Sequence, residues 1–339
     1  MSKAGTAKRA GTAAGPEILV VRTGAMGDVI HALPAVATLK HSFPGSSLSW
    51  IVHPRWVPLV EGNPYVDHLI PFDRRNLKSW GEAWRLLRAR HYDFAVDLQG
   101  LVQSALIASL ARAERIYGFH QSLVREKLAA AFYSSRVLTA AEHVVDRNLE
   151  LAAAAGASTM LVTFPLPEGA PEGVLPERGF VLASPQAGWG SKQWPPEHYI
   201  ALARELEAAL GLALVVNGAP GAGPALAQIK GAHVHISGIA GLIDATRRAT
   251  AVVGVDSGPM HLAAALAKPG VAIFGPTDPD RNGPYGGSFT VLRSPRAATS
   301  YRRYAAPEAS MREIGPKAVF EALAARLSSR GKKAGCKLP

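Results

Sequence analysis

Four stretches of this chain carry residues whose types and spacing could do chemistry. The first is Arg22-Thr23-Gly24-Ala25-Met26-Gly27-Asp28, which follows an apolar run from Ile18 to Val21 and precedes Val29, Ile30, Leu33 and Val36, spaced for one helical face. An acid where a buried strand turns into a helix has two roles open to it. It caps the helix, or it serves as a base at the carboxyl edge of a parallel sheet, where α/β proteins bind ligands. The glycines Gly24 and Gly27 let backbone approach a ligand closely. The second stretch is VVGVDSGPMHL (252–262). A strand ends in Asp256-Ser257-Gly258, and Pro259 sits where helices tolerate it. The helix N-terminus and the Ser257 hydroxyl suit a phosphate, and that setting turns His261 from a packing residue into a candidate ligand contact. The third is PQAGWGSKQWPP (185–196), a glycine-rich loop presenting Lys192. A lysine there either neutralises a diphosphate as a point charge or is solvated surface. The fourth is FGPTDPDRNGPY (274–285), with Thr277 and Asp278 at a strand end. Strand ends at Asp256 and Thr277 would line one pocket. Arg74, Arg75 and Lys78, and further on Arg125 and Lys127, fall in loops that would face a cleft or be solvated charge.

These residues need a scaffold that brings strand ends together, and the chain reads as one. Strand and helix patterns alternate from Ile18 to Ala155 and again from Phe180 to Ser329, which predicts two doubly wound parallel sheets with a ligand cleft between them. The division expected is a basic, disordered tail (1–16), a first Rossmann-like domain (17–165) and a Pro/Gly-rich linker (166–178). A second Rossmann-like domain (179–315), a final helix (316–330) and a basic tail (331–339) follow. Helices are expected over 80–90, 125–133 and 223–230 among others. The dinucleotide fingerprint fails: the first turn is not G-x-G-x-x-G, and Val52-His53-Pro54 stands where an acid would hold a ribose. GAPGAGP (218–224) lacks the Lys-Ser/Thr of a phosphate loop.

With 339 residues, 48% of them hydrophobic, the chain can build two cores. The net charge of +11 implies an anionic partner: a phosphorylated substrate, an acidic membrane surface or nucleic acid. Nothing resembles a nucleic-acid-reading module, so a non-enzymatic nucleotide or nucleic-acid binder is an alternative carried by charge alone. The single cysteine, Cys336, excludes an internal disulfide and fits a reducing compartment. No apolar run is long enough to span a bilayer, and the basic N-terminus lacks a signal's apolar core, so a cytoplasmic location is expected.

Several stretches together resemble one family. TGAMGDVIHALP (23–34), DLQGLVQSAL (97–106), VREKLAAAFY (124–133), KQWPPEHY (192–199), VDSGPMHLAAAL (255–266) and FGPTDP (274–279) are similar to those of the lipopolysaccharide heptosyltransferases of glycosyltransferase family 9, type I most closely. The resemblance implies a GT-B fold of two Rossmann-like domains facing a central cleft. It implies inverting transfer of L-glycero-D-manno-heptose from ADP-heptose to a Kdo residue of the lipid A inner core, with no metal and no cofactor. Peripheral work at the inner face of the cytoplasmic membrane is also implied. Carried over, Asp28 is the general base. Lys192, Asp256, Ser257, Gly258 and His261, with Thr277, Ala187 and Gly188, form the donor side. Gly27, Arg74, Arg75, Lys78, Gln103 and Arg125 form the acceptor side. The chain departs from the pattern at Ala187-Gly188, where adjacent threonines are common, at Ala222 for a glutamate and at Gln103 for a lysine. Those departures leave room for another nucleotide-diphosphate sugar or acceptor.

Overall fold

The computed structural model describes residues 15–300 and 302–335; most of the expected N-terminal tail lies outside them. The first half runs β1 (Glu17–Val21), α1 (Met26–Ser42), β2 (Ser47–Val52), α2 (Val57–Val60), β3 (His68–Pro71), α3 (Leu77–Arg88), β4 (Phe94–Asp97), α4 (Val102–Leu110), β5 (Arg115–Phe119), β6 (Ser135–Val137) and α5 (Val144–Ala154). The second runs β7 (Phe180–Ser184), α6 (Pro196–Leu210), β8 (Ala213–Gly218), α7 (Gly223–Leu226), β9 (His233–Ile236), α8 (Ile239–Arg248), β10 (Ala251–Val255), α9 (Gly258–Ala265), β11 (Gly270–Phe274), α10 (Pro279–Asn282), β12 (Phe289–Arg293), α11 (Ala309–Glu313) and α12 (Pro316–Gly335).

Each half is a six-stranded parallel sheet, and the two share one topology: β3-β2-β1-β4-β5-β6 and β12-β11-β10-β7-β8-β9. The central strands are apolar on both faces because helices cover both. In the first sheet Leu19, Val21, Ile51 and Ala95 face an outer layer of α3, α4 and a 3₁₀ turn at Lys127–Phe132, while Ile18, Val20, Leu48 and Val96 face α1 and α5. In the second, Val253, Val255 and Ile273 face α6 and α12, while Val252 and Ala272 face α8 and α9. The inner layers meet, α1 on α9 and α2 on α8, so one apolar core runs through both halves. This changes the reading of α1. One apolar face is expected, yet Val29 to Leu39 is buried throughout, because sheet, α5 and α9 surround the helix.

Three local expectations are corrected. Residues 125–133 form a turn and a 3₁₀ segment rather than an α-helix, and a three-residue edge strand, β6, follows it. The helix expected over 223–230 closes after one turn at Leu226. The last helix does not stop at 330 but runs through Gly331 to Gly335. Among the described residues no helix is long and apolar enough to cross a membrane.

Candidate active site at the meeting of two helix N-termini

The carboxyl ends of β1 and β10 face each other across the cleft, each followed by a short turn and a helix that starts there. Two glycines allow the approach. A Cβ on Gly27 would lie 2.5 Å from His261 Cδ2, and a Cβ on Gly258 would lie 2.6 Å from Met26 Cβ. Each helix start thus carries a glycine against a side chain of the other.

On the first side, Asp28 occupies the third position of α1. One of its oxygens accepts from the Ala25 N–H at 2.9 Å, and the other pairs with Arg22 Nη2 at 2.5 Å. Ala25 has no side-chain acceptor to return the bond, so this is half of a capping box. Arg22 is buried and donates to the Leu98 carbonyl. The turn is braced from β4: Gln99 Oε1 accepts from both the Thr23 N–H (2.7 Å) and the Thr23 hydroxyl (2.8 Å). Asp97 in turn fixes the Gln99 loop by accepting from the Gln99 N–H, Gly100 N–H, Ser104 and Tyr133 hydroxyls. Burial pushes the Asp97 carboxyl up despite those four donors.

On the second side, Lys192 is not solvated surface. Its side chain is 14% exposed, and Nζ stands 3.0 Å from Asp256 Oδ2 and 4.7 Å over the Trp189 ring, which Arg303 also covers at 5.1 Å. Burial alone would push Asp256 up; the neighbouring His261 and the Lys192 ammonium outweigh it and hold the carboxyl far below its ordinary range. His261 Nε2 is 3.6 Å from Asp256 Oδ1, and its Nδ1 is 3.1 Å from His31 Nε2. His31 comes from the other half, one turn beyond Asp28. Burial first, then His261, His143 and Arg22, keep it neutral. His261 thus faces Asp256 with Nε2 and shares a hydrogen bond with His31 through Nδ1, so the row Asp256–His261–His31 spans the two halves. The Ser257 and Thr277 hydroxyls are buried and have no protein partner, as expected of groups reserved for a ligand.

Two cavities, of about 690 and 930 Å³, meet at this point and share Gly27, Asp28, Lys192, Asp256, Ser257 and Gly258. The smaller adds Arg125, His261, Thr277 and Arg281. The larger adds Trp56, Gln186, Ala187, Gly188 and Asn217 and reaches the ends of β7 and β8. The structure therefore brings together Gly27, Asp28, Arg125, Ala187, Gly188, Lys192, Asp256, Ser257, Gly258, His261 and Thr277. Arg74, Arg75, Lys78 and Gln103 line neither cavity. The first three sit after β3, the edge strand two places from β1, so their loop lies about 10 Å to the side. Sequence reasoning missed Arg22, His31, Trp56, Trp189 and Arg303. Trp189, in the loop with Lys192, was the legible one, since aromatic faces attract cations. Among the described residues no group of three His, Cys, Asp or Glu side chains is arranged to hold a metal ion.

The chemistry available is a displacement. A carboxylate with unused lone pairs faces a cationic, hydroxyl-lined helix N-terminus suited to a departing phosphate. Comparisons with known proteins place the chain in a family. A family model described as glycosyltransferase family 9 (heptosyltransferase) matches residues 80–311. Lipopolysaccharide heptosyltransferase 1 of Pseudomonas aeruginosa is 32% identical over 304 residues, covering 82% of this chain and 83% of that protein. The structure of E. coli heptosyltransferase WaaC with ADP superposes with a TM-score of 0.75 at 27% identity, covering 91% of this chain and 99% of that one. The same enzyme with ADP-2-deoxy-2-fluoro heptose gives 0.72 at 26%. Fold and sequence agree: this chain belongs to glycosyltransferase family 9, the heptosyltransferases.

Proposed function

We propose that the protein moves a heptose from ADP-heptose to a Kdo sugar of the lipid A inner core, with inversion, while peripherally bound at an anionic membrane face. The solved relatives were captured with ADP and with a fluorinated ADP-heptose, and the curated relative acts on lipopolysaccharide by name. The observation that carries the reading is the position of Asp28 at the junction of the two cavities, opposite Lys192 and Ser257. The larger cavity takes the nucleoside diphosphate and the smaller takes the acceptor. Asp28 accepts the acceptor hydroxyl proton as its oxygen bonds the anomeric carbon from one face. The bond from that carbon to the diphosphate breaks on the other face, and ADP leaves with the electron pair. Lys192 and the start of α9 stabilise the charge that develops on it. Arg22 and the Ala25 N–H orient the base through two of its lone pairs and leave others for the acceptor.

Asp28→Asn tests this. Transfer is expected to fall by about 10²–10⁴-fold with ADP affinity retained in calorimetry; full-rate transfer would refute the assignment. A different donor sugar is the second reading, favoured by one observation. A Cβ added at Gly188 meets nothing within 4 Å, so the donor loop holds room that larger side chains would fill. A panel of ADP- and UDP-sugars scored by thermal shift separates the two.

A further inference from the structure

The two outer helical layers are built alike but finished differently. On the second half, α6, α7 and α12 expose one large apolar side chain among the described residues, Leu210. On the first half, the outer layer exposes seven. Leu77 (87% exposed), Trp84 and Leu86 come from α3, Leu106 and Leu110 from α4, and Leu128 (74%) and Phe132 from the 3₁₀ segment. All three elements send their small or buried residues, such as Ala83, Ala105 and Ala129, into the same sheet face, so the exposed ones point the same way, outward. Singly exposed apolar residues need no explanation, but a one-sided set does.

The layer is also charged. On α3 the face opposite Ser79, Ala83 and Leu87 holds Leu77, Lys78, Trp84, Arg85 and Arg88, and Arg74 and Arg75 precede it. Only Asp73 and Glu82 oppose these five cations along α3 and its entry. The Arg88 guanidinium lies 4.7 Å over the Trp84 ring, an amphipathic pair of the kind found where protein meets headgroups. Such a face would repel a second copy of itself. It is complementary to an anionic bilayer surface, which takes apolar side chains and indole to shallow depth and attracts each nearby cation.

We infer that the outer layer of the first half, from α3 at the edge across α4 to the 3₁₀ segment, is the surface that docks on an anionic membrane. The inference rests on the lipid-borne acceptor proposed above and locates how that acceptor is met. Ser122 to Arg125 line the smaller cavity, and the 3₁₀ segment with Leu128 begins two residues later. The docking layer therefore ends at the acceptor-side mouth. A sugar headgroup reaches Asp28 while its acyl chains stay in the bilayer.

The test is co-sedimentation of the full chain with phosphatidylglycerol/phosphatidylcholine vesicles and with phosphatidylcholine alone. The chain is expected on the anionic vesicles only. Leu77→Ser with Leu128→Ser, and separately Arg85→Glu with Arg88→Glu, should each weaken that binding at least about tenfold. Both pairs should melt like the parent and keep its transfer rate on a water-soluble, deacylated acceptor. Undiminished vesicle binding by either pair overturns the inference. So does a parent chain that ignores anionic vesicles, or a concentration-dependent dimer that the leucine pair abolishes. Vesicle binding lost in the variants while the parent transfers no heptose would leave the surface standing and remove the proposed function instead.

Discussion

Gly27→Ala tests whether the two helix starts meet as closely in the working protein as they do in the structure. The added Cβ would sit 2.5 Å from His261 Cδ2 and 3.3 Å from Nε2. Ordinary contact requires the ring to retreat by roughly 1 Å in a close-packed setting. The ring is held by His31 on one nitrogen and faces Asp256 with the other, so the halves must part or the Asp256–Lys192 pair must shift. Overpacking of this kind costs about 1–3 kcal/mol. Alanine in a helix recovers up to about 1 kcal/mol over glycine. The expected loss of stability is therefore modest, about 0–3 kcal/mol. The expected loss of rate is not. A misplacement near 1 Å between reacting groups costs about 10²-fold. Thermal melting and single-turnover transfer from ADP-heptose separate the two effects. Gly81→Ala in α3 is the control: its Cβ meets nothing within 4 Å, and it should stabilise by about 0.4–1 kcal/mol with no change in rate on a soluble acceptor. If Gly27→Ala turns over at the parent rate and melts no lower, the close meeting of α1 and α9 is not a feature of the active state.

Acid should destabilise the fold in two steps. His31 and His143 are held neutral, both chiefly by burial; the unfolded chain takes up protons near 6.5 that the folded chain refuses, so stability falls as pH drops below that value. Asp256 is also shifted down, here because His261 and Lys192 favour its charged form, and its contribution, present above 3.8, is lost as pH falls below it. Melting curves from pH 8 to 3 should show both, and His31→Gln should flatten the upper step; an unchanged upper slope would deny His31 that role. Lys192→Met strips Asp256 of its ammonium and should lower both melting temperature and ADP affinity, the latter at least about tenfold. Adding Asp256→Asn should restore stability without restoring ADP affinity, and recovery of both would mean that Lys192 serves the fold alone.

The alternation of apolar strands and helices was enough to read two parallel sheets and to place Asp28, Ser257 and Thr277 just past strand ends and Lys192 in the loop after one, because those signals are local. The capping reading of Asp28 is realised in part, since its carboxylate takes the Ala25 N–H, and the same residue lines the cleft in which the other reading would have it act. What could not be read depended on strand order. Lys192 and Asp256 meet because β7 pairs with β10 in parallel register, a pairing no local pattern encodes. The position of Arg74, Arg75 and Lys78 beside the two cavities follows from the same gap: basic loops were visible, but not that β3 is an edge. The three residues of β6 carry no period to detect. His31 looked like one more buried position of α1, and only the docking of α9 makes it a partner.

The Pro/Gly-rich segment expected as a linker is fastened to the second half. Arg247 donates to the carbonyls of Leu166 and Pro167, and the Glu172 carboxylate takes the Gly238 and Gly241 N–H groups at the start of α8. One residue earlier, the Pro165 carbonyl is claimed by Asn63 of the first half. Ownership of the chain thus changes hands within a single peptide. That makes Pro165–Leu166 the natural seam for building hybrids. A donor half grafted with its junction at this bond carries its whole brace with it. A cut ten residues later would strand Arg247 and Glu172 without the backbone they hold, and such a hybrid should fail by losing its second domain.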